Sequence, residues 1–71
     1  MNEHLHNTLR DERARLGLTQ AQLAEVVGVS RKTINTVENG IFIPSTVLSL
    51  KLAKALGRAV EEVFSLPEDN S

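Results

Sequence analysis

The stretch from Gln20 to Asn39, QAQLAEVVGVSRKTINTVEN, constrains this chain more than any other part of it. Leu23, Ala24 and Val27 form one apolar face of a short helix, and Ala24 is small enough to admit a second helix backbone close by. Gly28 stands where that helix must turn, a position expected to need a positive φ that glycine adopts without a Cβ clash. Val29 is expected to plug the turn into the core. Ser30 is a natural N-cap for a second helix whose inward stripe is Ile34 and Val37. Two short helices crossing through a tight turn is the spacing of a helix-turn-helix.

The outward face of the second helix carries Arg31, Lys32, Thr33, Asn35 and Thr36, with no acidic residue between Glu25 and Glu38. Arginine and lysine donate to guanine O6 and N7, asparagine pairs with adenine N6 and N7, and a threonine methyl touches that of thymine. Arg31, Lys32, Asn35 and Thr36 are therefore the expected base-reading residues, and Thr19, Ser30 and Thr33 the expected phosphate contacts; Gln20, at a helix N-terminus, either meets a phosphate or is a solvated first-turn residue. A polar helix face is ordinarily only a solvated one; its place in this turn spacing favours DNA.

The chain resembles the XRE family, the phage-repressor and Cro class of helix-turn-helix domains. The resemblance rests on L-G-L-T-Q from Leu16, A-Q-L-A at 21–24, G-V-S at 28–30, V-E-N-G at 37–40, and Pro44-Ser45, and it covers roughly residues 8–65. It implies an all-α, compact five-helix domain of the lambda-repressor type. It also implies that Arg13 and Glu38 form an ion pair orienting the reading helix, that Gln20 meets a phosphate, and that Asn39 does so through backbone or side chain. The loop Ile41-Phe42-Ile43 departs from the pattern, since relatives often place a lysine or arginine there. Phe42 is expected to pack as a core lid, with Ile41 and Ile43 open to a subunit or partner contact.

Seventy-one residues leave room for a single domain, with the motif at 20–39 and a short polar acidic tail at 67–71. With no cysteine there is no disulfide and no cysteine-based zinc site, so stability falls to helix packing or dimerisation. No apolar run approaches the roughly 20 residues that span a bilayer, and the first ten residues lack a signal-peptide core. A cytoplasmic protein is expected. The formal charge of −1 argues against a nucleic-acid partner until its distribution is considered. Glu61, Glu62, Glu68 and Asp69 lie in the last eleven residues, where no basic residue stands. The rest of the chain has eight basic against five acidic groups, which predicts a positive reading face and salt-sensitive binding.

Helical spacing of Leu5, Leu9 and Leu16 predicts a first helix over about 5–16, interrupted in its apolar stripe by Glu12. The remaining helices are expected at 20–27, 31–38, 46–56 and 60–65. The fourth has an apolar stripe wider than one core face needs. The fifth lacks a polar cap at Ala59, and the stretch 63–67 could form a short C-terminal strand extending a subunit contact. Val60, Val63, Phe64 and Leu66, with Val47 and Leu48 beside them, are the candidate dimer surface. His4 and His6 are too few to hold a metal, no oxyanion pocket accompanies any hydroxyl, and no enzymatic activity or cofactor is expected.

These readings converge on a sequence-specific regulator of transcription, a repressor bound as a homodimer to an inverted repeat in double-stranded DNA. An alternative of another class is an antitoxin or interaction module whose essential partner is a protein. A third is a DNA-targeting module belonging with a ligand sensor.

Overall fold

Three serine or threonine caps and two left-handed glycines set most of the architecture. The computed structural model describes residues 5–67; His4 and the tail residues 68–71 lie outside them. Helix α1 is Leu9–Arg15, α2 Gln20–Val27, α3 Arg31–Glu38, α4 Thr46–Leu56 and α5 Val60–Val63. Strands β1, His6–Asn7, and β2, Phe64–Ser65, pair antiparallel, His6 opposite Ser65 and Asn7 opposite Phe64. The fold is thus five helices with one small hairpin-like sheet joining the two ends of the chain.

Thr19, Ser30 and Ser45 each accept a hydrogen bond from the backbone N–H three residues on, satisfying a donor that the first turn leaves orphaned. At Thr19 the cap is reciprocal, since Gln22 Oε1 accepts from the Thr19 N–H at 2.8 Å. Gly28 ends α2 at φ 79° and Gly57 ends α4 at φ 70°, the left-handed region in which a side chain is strained. Ala59 provides no side-chain cap for α5; Glu62 Oε1 instead reaches back to the Ala59 N–H at 2.8 Å.

Leu9, Leu23, Ala24, Val27, Ile34, Val37, Leu48, Leu52, Ala53, Leu56, Val63 and Phe64 make the core, and Val29 packs against it from the turn as expected. Each buried leucine, isoleucine or valine contributes roughly 1.5–3 kcal/mol, so a core this small has little surplus stability.

Several expectations change, among them the fifth helix, which ends at Val63 rather than 65 because Phe64 and Ser65 pair with β1 as β2. Helix α1 starts at Leu9 rather than Leu5, because Asn7 Oδ1 accepts from the Leu9 N–H at 3.1 Å and the preceding residues pair with β2. Leu16 lies beyond the end of α1 and is exposed rather than inward. Phe42 is no core lid: 48% of its surface is exposed, since the loop lies over the end of α3 with the Ile41 and Phe42 N–H groups on the Thr36 carbonyl. Val63, Phe64 and Leu48 are buried in the protomer itself, so they present no subunit surface, and β2 pairs within its own chain.

Glu12 is not an interruption of α1. Its Oε1 accepts from Arg15 Nε at 2.7 Å and Arg58 Nε at 3.0 Å, and Arg15 Nη2 donates to the Leu56 carbonyl at 2.9 Å. The cluster ties α1 to the end of α4, and the two arginine hydrogen bonds hold the Glu12 carboxyl below its ordinary pKa.

Candidate nucleic-acid interface

Helix α3 turns Ile34 and Val37 into the core and leaves Arg31, Lys32 and Asn35 exposed, with Thr33 and Thr36 half-buried. It is held against α2, which packs on α3 and α4. Arg31 and Lys32 occupy the first turn of α3, where reading helices of this motif contact base edges.

The charges are sorted accordingly. Arg10, Arg13, Arg15 and Arg58 all pair with Glu12 or Glu38. Among the described residues, Arg31 and Lys32 of α3 and Lys51 and Lys54 of α4 have no carboxylate within ion-pair distance, which leaves their charge to the surface.

Glu38, the last residue of α3, is the hub of a network joining α1, α2 and α3. Arg13 Nε meets its Oε2 at 2.8 Å and Arg13 Nη2 its Oε1 at 3.2 Å, while Arg13 Nη1 donates to the Leu18 carbonyl at 2.9 Å. The Glu38 side chain is 0% exposed and that of Arg13 17%. The expected ion pair is present, and it is a sheltered fork rather than two independent surface charges. Burial alone would push the Glu38 carboxyl up; hydrogen bonds from Arg13 and Gln20 and the charges of Arg13 and Arg10 outweigh it, and the net shift is down. The same partner raises the Arg13 guanidinium further.

Gln20 Nε2 donates both to Glu38 Oε1 at 3.1 Å and to Asn35 Oδ1 at 3.2 Å. Asn39 Nδ2 also donates to Asn35 Oδ1 at 3.2 Å, and Arg10 Nη2 donates to Asn39 Oδ1 at 3.2 Å. Both lone pairs of the Asn35 side-chain oxygen are therefore engaged, whereas its NH₂ remains available. The adenine pairing expected of Asn35 needs that oxygen as acceptor; in this arrangement, without DNA, Asn35 offers donors only. Sequence reasoning named all three amides and missed their linkage.

The hydroxyls retain capacity. Thr19 Oγ1 accepts from the Gln22 N–H at 3.0 Å and keeps its own proton to donate. Ser30 Oγ accepts from the Thr33 N–H at 3.1 Å and lies 3.0 Å from Thr33 Oγ1, so one hydroxyl proton of that pair stays free. Thr36 Oγ1 donates back to the Thr33 carbonyl at 2.9 Å, which engages its hydroxyl proton. Among the described residues no group is able to hold a metal, and no helix is long and apolar enough to cross a membrane.

A helix whose exposed face is basic, with its single acid, Glu38, withdrawn into an ion pair, presented beyond a glycine turn, defines a helix-turn-helix DNA-binding domain, a non-enzymatic class. The helix-turn-helix family model matches residues 9–63, and the chain belongs to that family, in its XRE type. An uncharacterised HTH-type transcriptional regulator of Methanothermobacter thermautotrophicus is 46% identical over 68 residues, spanning 94% of this chain and 99% of its own. The regulator YgzD of Bacillus subtilis, likewise uncharacterised, is 42% identical over 66 residues, spanning 93% and 100%. Among solved structures, the restriction-modification controller protein C.AhdI of Aeromonas hydrophila is similar with a TM-score of 0.73 and 41% identity, over 76% of this chain and 82% of that one. The protein is a transcriptional regulator with a domain for binding double-stranded DNA.

Proposed function

We propose that the protein is a sequence-specific repressor that binds an inverted-repeat operator as a homodimer. The observation that carries this is the segregation of charge: Arg31 and Lys32 stand free of carboxylates at the capped start of α3 while the arginines of α1 are paired elsewhere. Arg31, Lys32, Asn35 and Thr36 read bases, with Asn35 acting as a donor to guanine or thymine acceptors. Thr19 and the Ser30–Thr33 pair meet phosphates through spare hydroxyl protons, while Gln20 and Asn39, whose side-chain amide protons are engaged by Glu38 and Asn35, do so by exchanging one of those bonds for a phosphate oxygen.

A single eight-residue reading helix reaches few base pairs. Two copies about 34 Å apart double the site, which favours a pseudo-palindrome. Apolar groups remaining at the surface support the subunit contact: Ile41 and Leu66 are 75% and 79% exposed, Phe42 and Ile43 are exposed as well, and Val60 is partly buried. Repression then needs only occupancy of promoter DNA, and the likeness to a restriction-modification controller protein supports a controlling role.

Fluorescence anisotropy against an enriched operator and a scrambled duplex, with sedimentation of the complex, tests the proposal. A preference of about 10³-fold or more with two chains per duplex supports it. Equal binding to both duplexes refutes it, and one chain bound with a second, different protein carried through purification moves the essential contact of the apolar loop to that protein.

A further inference from the structure

One side chain outside the reading face joins three elements. Asn7 lies in β1, opposite Phe64; its Oδ1 accepts from the Leu9 N–H at 3.1 Å, and its Nδ2 donates to the Val37 carbonyl at 3.0 Å, thirty residues away. Val37 is in the last turn of α3, where carbonyls have no partner within the helix, and its oxygen also accepts from the Gly40 N–H at 3.1 Å. Asn7 thus caps the start of α1 with one atom and the end of α3 with the other.

We infer that Asn7 is a positioning residue for DNA reading, holding the tilt of α3 through the Val37 carbonyl while Arg13 holds the same end through Glu38. The inference rests on α3 being the base-reading helix. Eight residues span about 12 Å, so a tilt of roughly 10° about the anchored end moves Arg31 by about 2 Å, more than a two-pronged base contact tolerates. The anchor also links the reading helix to the β1–β2 pair, where the first described residues meet the last.

Asn7→Ser separates the two roles. A serine hydroxyl still accepts from the Leu9 N–H two residues on, as in a serine turn, but is too short to reach Val37. Thr8→Val is the control: it removes the bond from Thr8 Oγ1 to the Glu62 carbonyl at 3.2 Å, loosening the same region without touching α3. Each variant is assayed on the intact chain for operator against scrambled binding and for amide hydrogen exchange over residues 37–40 without DNA. Asn7→Ser should lower the discrimination ratio about three- to tenfold and speed exchange at those amides, whereas Thr8→Val should leave both as in the wild type.

Unchanged discrimination in Asn7→Ser, beside a wild type that discriminates, overturns the inference, and so does an equal loss in Thr8→Val. A wild type that does not discriminate refutes operator reading instead. The anchor then stands or falls on exchange alone: unaltered rates in Asn7→Ser refute it.

Discussion

Arg13 and Glu38 meet through two hydrogen bonds, of 2.8 and 3.2 Å, with the glutamate side chain wholly withdrawn from solvent. They join the first helix to the last residue of the reading helix, and Gln20 completes the ring from α2. A carboxylate so placed is stable only while its partners remain.

Arg13→Ala leaves that carboxylate buried with Gln20 and a distant Arg10, 3.7 Å away, as its remaining partners. The expected cost is about 3 kcal/mol, toward the lower end for a broken buried pair because Arg13 keeps some exposure. Arg13→Lys keeps the charge but cannot span both oxygens and the Leu18 carbonyl, and should cost about 1–2 kcal/mol. Urea unfolding at neutral pH measures both, and equal small losses would show the fork to be a surface pair.

Acid should unfold the protein partly through the same group. Glu38 has its pKa lowered by folding, so its contribution is complete above the unfolded value of about 4.3 and is lost as pH falls through the lower folded value. Glu12 acts in the same direction. Glu38→Gln should therefore show a shallower fall in melting temperature below about pH 5 than the wild type. Parallel curves would mean that Glu38 titrates alike in both states.

On DNA, Arg31→Ala should cost about 1–3 kcal/mol on the preferred operator and relax the sequence requirement at one position. Gln20→Ala should weaken duplexes nearly equally whatever their sequence, except at the base opposite Asn35. Because it also releases Asn35 Oδ1 from one of its two donors, the base preference opposite Asn35 should broaden toward adenine. Titration against single-base operator variants separates these effects, and an unchanged discrimination ratio for Arg31→Ala would remove it from the reading set.

The boundaries of α2, α3 and α4 were legible because each carries its own start and stop: Thr19, Ser30 and Ser45 cap, and Gly28, Asn39-Gly40 and Gly57 terminate. The start of α1 was not legible. Leu5 and Leu9 have helical spacing, but two-residue strands leave no periodicity, and the pairing of Asn7 with Phe64 is a contact between chain ends. Glu12 looked misplaced because its second partner, Arg58, is 46 residues away. At the site, the identities of Gln20, Asn35 and Asn39 could be read from the motif; which atoms they leave free depends on how α2 crosses α3. The apolar character of Phe42 suggested burial, yet the loop's path over the Thr36 carbonyl leaves it at the surface.

Ile41→Ser with Ile43→Ser tests the subunit contact. Both residues are largely exposed, so melting temperature in dilute solution should change by no more than a surface substitution allows, about 0.5 kcal/mol. Self-association measured by sedimentation should weaken, and binding of a full operator should fall toward that of a half-site. Unaltered association would place the contact elsewhere, with Leu66 and Val60 next to be tested.

Selection of bound sequences from a random duplex pool tests the central claim most directly. The account predicts an enriched inverted repeat with half-site centres about 10–10.5 base pairs apart, or a multiple of that. A pool that remains random after repeated rounds, with binding lost in moderate salt, would contradict sequence-specific reading by α3.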